Sequence, residues 1–258
     1  MTAKRPGISS CPALTRTQDM AAHRNGTRNV SMPHDANWIR MRHWIEFTNS
    51  LRLLPPERAN LSFESIGPES LSLPDLELLL ARPRLESLRF RKITLGKSEV
   101  GVLARLTKLR RLHLDSCAVT NWKWLSKLTN LTTLSIVSCG MRTTDSLAGL
   151  GGLRDLNLSQ NRLKRIKCDG LSNLVSLNLA DNVIRGFQCL ERLENLRYLN
   201  LVGNRPIKSL QILEKLPKLR EVRANVSRRE AIRFRTACPH VAIPGYDSFP
   251  ALSSKRRR

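Results

Sequence analysis

Leu153-Arg-Asp-Leu-Asn-Leu-Ser-Gln-Asn161 is followed by Leu174-Val-Ser-Leu-Asn-Leu-Ala-Asp-Asn182 and then by Leu196-Arg-Tyr-Leu-Asn-Leu-Val-Gly-Asn204. The same nine-residue phrase thus returns at a fixed interval, with leucine at places one, four and six and asparagine at place nine. Two further copies precede these three, Leu109 with Leu112, Leu114 and Cys117, and Leu131 with Leu134, Ile136 and Cys139. Weaker copies flank the five: Leu85-Leu88-Phe90 and Leu219-Val222-Ala224, with Leu61-Phe63-Ile66 as a degenerate first one. From Leu85 onward, successive starts differ by 24, 22, 22, 21, 22 and 23 residues, a period that a random apolar pattern would not hold. Self-similarity at such a period means stacked units that share one continuous core.

The phrase Leu-x-x-Leu-x-Leu-x-x-Asn/Cys is the leucine-rich-repeat signature. It predicts an α/β solenoid, a right-handed superhelix with a parallel sheet on its concave side, closed by an N-terminal cap helix and a C-terminal cap. In a strand, alternate side chains point to opposite faces, so the leucines at places four and six point inward and the residues between them face solvent. One turn cannot bury its own leucines; stacked on its neighbours, each buried Leu contributes about 1.5–3 kcal/mol. The asparagine at place nine ends the strand and meets backbone groups of adjacent turns, and Cys117 and Cys139 hold that place in two turns as small, weak donors.

Beyond each strand comes a second apolar site, Val119, Met141, Leu163, Ile184 and Ile207, and then a Leu-x-x-Leu stretch such as Leu125-Ser-Lys-Leu128 or Leu190-Glu-Arg-Leu193, suited to short helices or 3₁₀ turns. Cys168 and Cys189 each fall five residues after that apolar site and are expected to be buried spacers. With Cys11, Cys117, Cys139 and Cys238 they make six cysteines without a CxxC, a spacing that implies neither a disulfide framework nor a zinc site and points to a reducing compartment.

The 22-residue period with Asn-x-Leu or Asn-x-Ile after the strand resembles the leucine-rich repeats of the regulatory subunit of the type-one protein phosphatase and of the A-prime protein of the spliceosomal U2 particle. The resemblance covers residues 85–247, because the stretch from Arg228 to Asp247 looks like the C-terminal cap of that subfamily. An aromatic early in the cap helix and a Leu-Asp near its end are usual there; this chain has Arg228 and Tyr246-Asp247 nearby. The resemblance implies a docking architecture that serves many unrelated partners, and no particular partner.

The organisation expected is a basic flexible tail over 1–36, a cap helix and degenerate first repeat over 37–84, repeats over 85–224, the C-terminal cap over 225–247 and a basic tail over 248–258. Within 37–54, Trp38, Met41, Ile45 and Leu51 lie near one helical face, widened by Trp44 and Phe47, and Pro55-Pro56 ends the helix. Residues 1–36 are rich in Ser, Thr, Asn, Arg and His, the composition of a flexible tail, and Arg5, Arg16, Arg24 and Arg28 against few acids are the pattern of a mitochondrial transit peptide.

Charge narrows the partner. Forty-four Lys and Arg against twenty-one Asp and Glu leave a formal +23, and every region is basic: residues 59–224 alone carry twenty-seven basic and fifteen acidic side chains. Such an excess favours polyanions, RNA foremost. The strand residues expected to face solvent are uneven along the stack. Early turns present Arg89, Arg91, Lys92, Arg110, Arg111 and His113; middle turns present neutral Thr132, Thr133, Ser135, Asn157, Ser159, Gln160 and Asn178; late turns present Arg197, Tyr198, Arg220 and Arg223. Arginine forks suit phosphate oxygens, whereas the single stacking residue, Tyr198, argues against base-by-base reading of a single strand. Lys255, Arg256, Arg257 and Arg258 add a basic end, either a nuclear localisation signal or a phosphate-grasping tail.

No paired carboxylates, no nucleophile with a local base, no phosphate-cradling glycine loop and no metal-ligand cluster stand out, and His23, His34, His43, His113 and His240 are scattered. No cofactor is implied. The sequence therefore reads as a non-catalytic scaffold that meets other proteins through its concave face and RNA through phosphate contacts, one copy within a larger hetero-assembly. A ribonucleoprotein, with the mitochondrial ribosome favoured, is the first expectation. A regulatory protein-binding subunit, for example phosphatase-targeting, is the alternative. No stretch reaches the roughly 20 apolar residues of a membrane span, and the chain is expected to be intracellular, mitochondrial ahead of nuclear.

Overall fold

The computed structural model describes residues 40–41, 59–64 and 76–246. Among them, nine strands form one parallel sheet in the order β1-β2-β3-β5-β7-β8-β9-β10-β11. These are β1 (Arg40–Met41), β2 (Asn60–Glu64), β3 (Ser87–Arg91), β5 (Arg111–Asp115), β7 (Thr133–Val137), β8 (Asp155–Asn157), β9 (Ser176–Asn178), β10 (Tyr198–Asn200) and β11 (Glu221–Arg223). Two short strands, β4 (Thr94–Leu95) and β6 (Ala118–Val119), pair separately. Sheet order follows chain order, so the chain advances one strand per turn, as a leucine-rich-repeat fold requires.

Register repeats with the sequence period: Leu88 pairs with Leu112, Leu112 with Leu134, Leu134 with Leu156, Leu156 with Leu177 and Leu177 with Leu199. Like residues therefore stack on like, and the leucines of places one, four and six are all buried in a single core that runs the length of the stack. Phe63 and Phe90 extend it at the N-terminal end, their rings 5.4 Å apart. Between strands the chain returns through helix α1 (Lys97–Leu103) or short 3₁₀ turns at Lys123–Lys127, Asp145–Leu147, Gln188–Arg192 and Gln211–Lys215. The leucines of each, such as Leu125 and Leu128, face the core.

At place nine the asparagines cross-link the backbone of two successive turns. Asn182 accepts from the Leu163 amide at 3.0 Å and donates to the carbonyls of Leu158 (2.9 Å), Leu179 (3.1 Å) and Ala180 (3.1 Å). Asn161 does the same work one turn earlier, accepting from the Cys139 and Met141 amides and donating to the Ile136 carbonyl at 2.6 Å. Where cysteine holds the place, the Cys117 amide donates to Cys139 Sγ at 3.3 Å. The shared hydrogen bond with Cys117, with burial adding to it, pushes the Cys139 thiol up, so it stays protonated.

A second device at the strand ends is absent from any simple apolar pattern. Place eight is left-handed in six successive turns: Lys92, Ser116 and Ser138 at φ 54°, Gln160 at 57°, Asp181 at 54° and Gly203 at 73°. That conformation costs a non-glycine residue about 1–2 kcal/mol. It is held because each of these amides reaches the next turn, Lys92 to the Asp115 carbonyl, Ser116 to Val137, Gln160 to Ala180 and Asp181 to Val202, all at 2.8–2.9 Å. Glycine is needed at 203, where a Cβ would run into Asp181.

Helix α2 (Arg228–Ala237) follows β11, with Ser227 as N-cap accepting from the Glu230 amide. It buries Ala231 and Phe234 completely. The Glu230 carboxylate ties it to the last turn, accepting from the Leu210 amide at 2.6 Å and from Arg233. Beyond it the Tyr246 hydroxyl donates to the Val226 carbonyl at 2.7 Å.

Two expectations need correction. Arg40–Met41, read as part of a cap helix, form a strand parallel to Ser62 and Phe63. The exposed edge of β2 offers unpaired backbone groups, and a strand there satisfies them, which outweighs a helical spacing of apolar residues. The rest of that segment, with Trp38, Trp44, Ile45, Phe47 and Leu51, lies outside the described residues, as do the tails at 1–36 and 248–258 with Lys255, Arg256, Arg257 and Arg258. Cys168 and Cys189, read as spacers, are joined by a disulfide, their Cα atoms 5.6 Å apart. Stacking in register brings equivalent places of adjacent turns within the span a disulfide requires. The cysteine spacing thus gives no support to a reducing compartment.

Replacing Asn182 with alanine leaves the buried Leu163 amide without its acceptor and takes one of two donors from each of the carbonyls of Leu158, Leu179 and Ala180, and is expected to lower the unfolding free energy by about 2 kcal/mol. The same change at the exposed Asn173, which makes one bond to the Gly151 carbonyl, is expected to cost about 1 kcal/mol or less. Urea denaturation of both variants checks this; equal losses would contradict the girdle.

Candidate functional site

Places three, five and seven of each turn form the outer face of the sheet, and the register sets them in rows across the strands. One row runs Ser62, Arg89, His113, Ser135, Asn157, Asn178, Asn200 and Arg223. Its neighbour runs Ser87, Arg111, Thr133, Asp155, Ser176, Tyr198 and Glu221. The early group expected from sequence lies on or beside β3 and β5, the late group on or beside β10 and β11. Three strands stand between the groups, a separation of about 19 Å at ordinary strand spacing.

The environments within each group differ from a uniform basic patch. Arg91 pairs with Asp115 at 3.1 Å, its register partner on the next strand. Arg110 lies 3.8 Å from Glu86, Arg111 donates to the Asn60 side chain at 3.1 Å, and Arg223 pairs with Glu221 at 2.7 Å. Arg89 is half-buried, and burial holds its guanidinium below the usual range. Lys92 is exposed at its left-handed corner. Arg197 and Arg220, at place two of neighbouring turns, are exposed, and among the described residues neither has an ion-pair partner. Tyr198 between them is 44% exposed and Val202 on the same turn 38%, which makes an apolar spot inside the late basic group.

His113 does not face solvent as expected. It is only 7% exposed, and burial, with the charges of Arg89 and Arg111 adding to it, pushes its imidazole down to about 3. It is a neutral member of the early group at any ordinary pH. Ser159, read as exposed, is buried as well. The central asparagines are occupied by their own chain: Asn157, Asn178 and Asn200 accept from the amides of Ser159, Ala180 and Val202, two residues on, at 3.0–3.1 Å. These bonds turn the backbone away from the sheet, which is why β8, β9 and β10 are three residues long where β3, β5 and β7 are five.

Sequence reading of the face missed its acids, Glu86, Asp115, Asp155 and Glu221, and also Arg154, which holds place two as Arg110, Arg197 and Arg220 do. The signal was present in the phrase itself: place two and the acidic entries at places three and seven are fixed once the leucines are aligned. Burial raises the pKa of Asp155 at the centre of the face. Among the described residues no group of three or more His, Cys, Asp or Glu side chains is placed to hold a metal ion, and no helix is long and apolar enough to cross a membrane.

Sheet order, register, the buried leucine rows and the asparagine girdle together define the leucine-rich-repeat fold. No protein-family model matches the chain. Among solved structures, an internalin (inlF) from Listeria monocytogenes is 22% identical with a TM-score of 0.59, covering 70% of this chain and 53% of that chain, so this chain spans about half its length. Internalin C2 from the same organism is 22% identical with a TM-score of 0.57, covering 70% of this chain and 84% of that one. TLR13, solved as a complex with ssRNA13, is 23% identical with a TM-score of 0.52, covering 67% of this chain and 30% of that one. These likenesses establish the fold.

The pKa of His113 sets a pH dependence of stability. The unfolded chain binds a proton at its imidazole near pH 6.5, whereas the folded protein does not until about pH 3. Stability attributable to this residue is therefore complete above pH 6.5 and is lost as pH falls through that window, by up to about 1.4 kcal/mol per pH unit. His113→Gln is expected to remove about one proton from the difference in uptake between unfolded and folded states at pH 5. Unfolding free energies measured from pH 4 to 7 check this; parallel curves for both proteins would contradict it.

Proposed function

We propose that this chain is a non-catalytic scaffold within a ribonucleoprotein, where its repeats hold a fixed basic surface against folded RNA and a neighbouring protein. The observation that carries this reading is the charge: a formal +23 on 258 residues, distributed over every region and borne by a fold whose backbone is tied turn to turn. A rigid array of arginine forks meets phosphate oxygens without an ordering cost. TLR13, of the same fold, was solved with an RNA ligand, which supports the compatibility of this architecture with RNA. The arginine-rich, acid-poor composition of residues 1–36 supports a mitochondrial destination, and with it the mitochondrial ribosome or its assembly intermediates as the setting. The scaffold works there as one copy in a hetero-assembly.

A second reading has its own support. Arg91, Arg110 and Arg223 are matched by acids, and Tyr198 with Val202 forms an apolar spot, so the sheet face has the mixed character of a protein interface. On this reading the chain is a regulatory protein-binding subunit, such as one that targets a phosphatase.

Native purification from cells with and without ribonuclease separates the two. The ribonucleoprotein reading expects a large complex that contains RNA and shrinks on digestion, and binding that weakens steeply as salt rises. Recovery of the same small, RNA-free complex under both conditions sinks it. The second reading instead expects one stoichiometric protein partner, lost from the double variant Arg197→Glu with Arg220→Glu.

A further inference from the structure

Away from the sheet face, the segments that follow the asparagine girdle form a ridge across three turns. Its densest part is Arg162-Leu-Lys-Arg-Ile-Lys167, in which four of six residues are basic. The alternation is structural: Leu163 and Ile166 point into the core, while Arg162, Lys164, Arg165 and Lys167 stay exposed. Arg142 from the turn before and Arg185 from the turn after line the same side, and with these four they border two adjoining open grooves, one of about 830 Å³. Asp145 is the one acid on those walls, and it is taken by Lys167 at 2.6 Å. Five cations remain there without an ion pair among the described residues.

The ridge is held in place. The Arg162 amide donates to the Met141 carbonyl at 2.9 Å, the Arg185 amide to the Lys164 carbonyl at 3.3 Å and the Lys167 amide to the buried Thr144 hydroxyl at 2.9 Å. The Cys168–Cys189 disulfide joins the same two turns immediately beyond. Equivalent cations on adjacent turns thus recur at roughly the 4.8 Å strand spacing, over backbone that does not have to be ordered on binding.

We infer that this ridge is a phosphate-binding surface for the backbone of folded, helical RNA, and that it is a stronger RNA contact than the sheet face. Exposed guanidinium and ammonium groups at fixed spacing, with their single acid already neutralised, complement a row of phosphates. The groove walls hold no aromatic side chain on which a base could stack, so the ridge reads backbone and shape rather than sequence. The inference rests on the ribonucleoprotein reading and assigns the RNA contact to particular residues outside the strands.

The test uses the full chain and a fluorescein-labelled RNA hairpin of roughly 20 base pairs, followed by anisotropy from 0.05 to 0.3 M salt. The variant is R162Q/K164Q/R165Q/R185Q, whose four side chains are exposed and make no side-chain hydrogen bond or ion pair among the described residues; R197Q/R220Q serves as the sheet-face comparison. The expected result is a loss of about 30-fold in affinity at 0.15 M salt for the ridge variant, with the slope of log affinity against log salt reduced by about 3. The sheet-face variant is expected to stay within about threefold of wild type. Wild-type affinity in a ridge variant with an unchanged melting temperature overturns the inference and leaves the ribonucleoprotein reading standing. A wild-type chain that does not bind the hairpin overturns both. Loss of an acidic protein from the ridge variant, with hairpin binding intact, assigns the ridge to a protein and also overturns the inference.

Discussion

A turn of about 22 residues cannot cover its own leucines, so each turn is stable only against the one stacked beside it. Everything else in this protein descends from that dependence. Parallel pairing in constant register places each residue next to its equivalent in the neighbouring turn. A local choice of residue is thereby multiplied into a row: leucines become a core, asparagines a girdle and left-handed corners a column of inter-turn hydrogen bonds.

The strand ends show how polar and strained groups are accommodated in such a stack. The asparagine side chains at place nine stand in for the sheet partners that the bending chain gives up, so buried carbonyls such as Leu158 and Leu179 keep a donor. The left-handed corner just before them is costly for each residue alone. It persists because the corner amide meets a carbonyl of the next turn in five turns and the Asn225 side chain in the sixth. The two devices act within a few residues of one another, and together they fix the direction in which the chain leaves the sheet. The ridge segments start from there.

Two surfaces of different chemistry result. On the sheet face, opposite charges meet across strands at Arg91 and Asp115 and within β11 at Arg223 and Glu221, His113 is buried and neutral, and the central asparagines bond their own backbone. That face is close to self-satisfied except for the exposed Lys92, Arg154, Arg197, Arg220 and Tyr198. On the ridge, the segments leave the girdle with their apolar residues inward and nearly all their cations outward, where acids are few. Charge in the sequence is spread along the chain, but stacking sorts it: arginines in strands find acidic partners one turn away, whereas those beyond the girdle line up with other cations.

The aligned phrase by itself determined the core rows, the asparagine girdle, the presence of a short helical turn around Leu125–Leu128 and Leu190–Leu193, and the order in which the basic groups lie along the stack, because periodic burial leaves a periodic trace. The tertiary structure alone decided what depends on a neighbour in the next turn. Asp115 neutralises Arg91 and Glu86 approaches Arg110 only through stacking, Cys168 reaches Cys189 only because equivalent places stack, and Arg40–Met41 join the sheet because an open strand edge demands partners. The left-handed corners are not legible in the sequence, because Lys, Ser and Gln carry no residue-type signature for positive φ and Asp only a weak one beside glycine. A linear pattern records which residues must be buried; which charges are cancelled, and which stand together unopposed, is settled only when the turns are laid side by side.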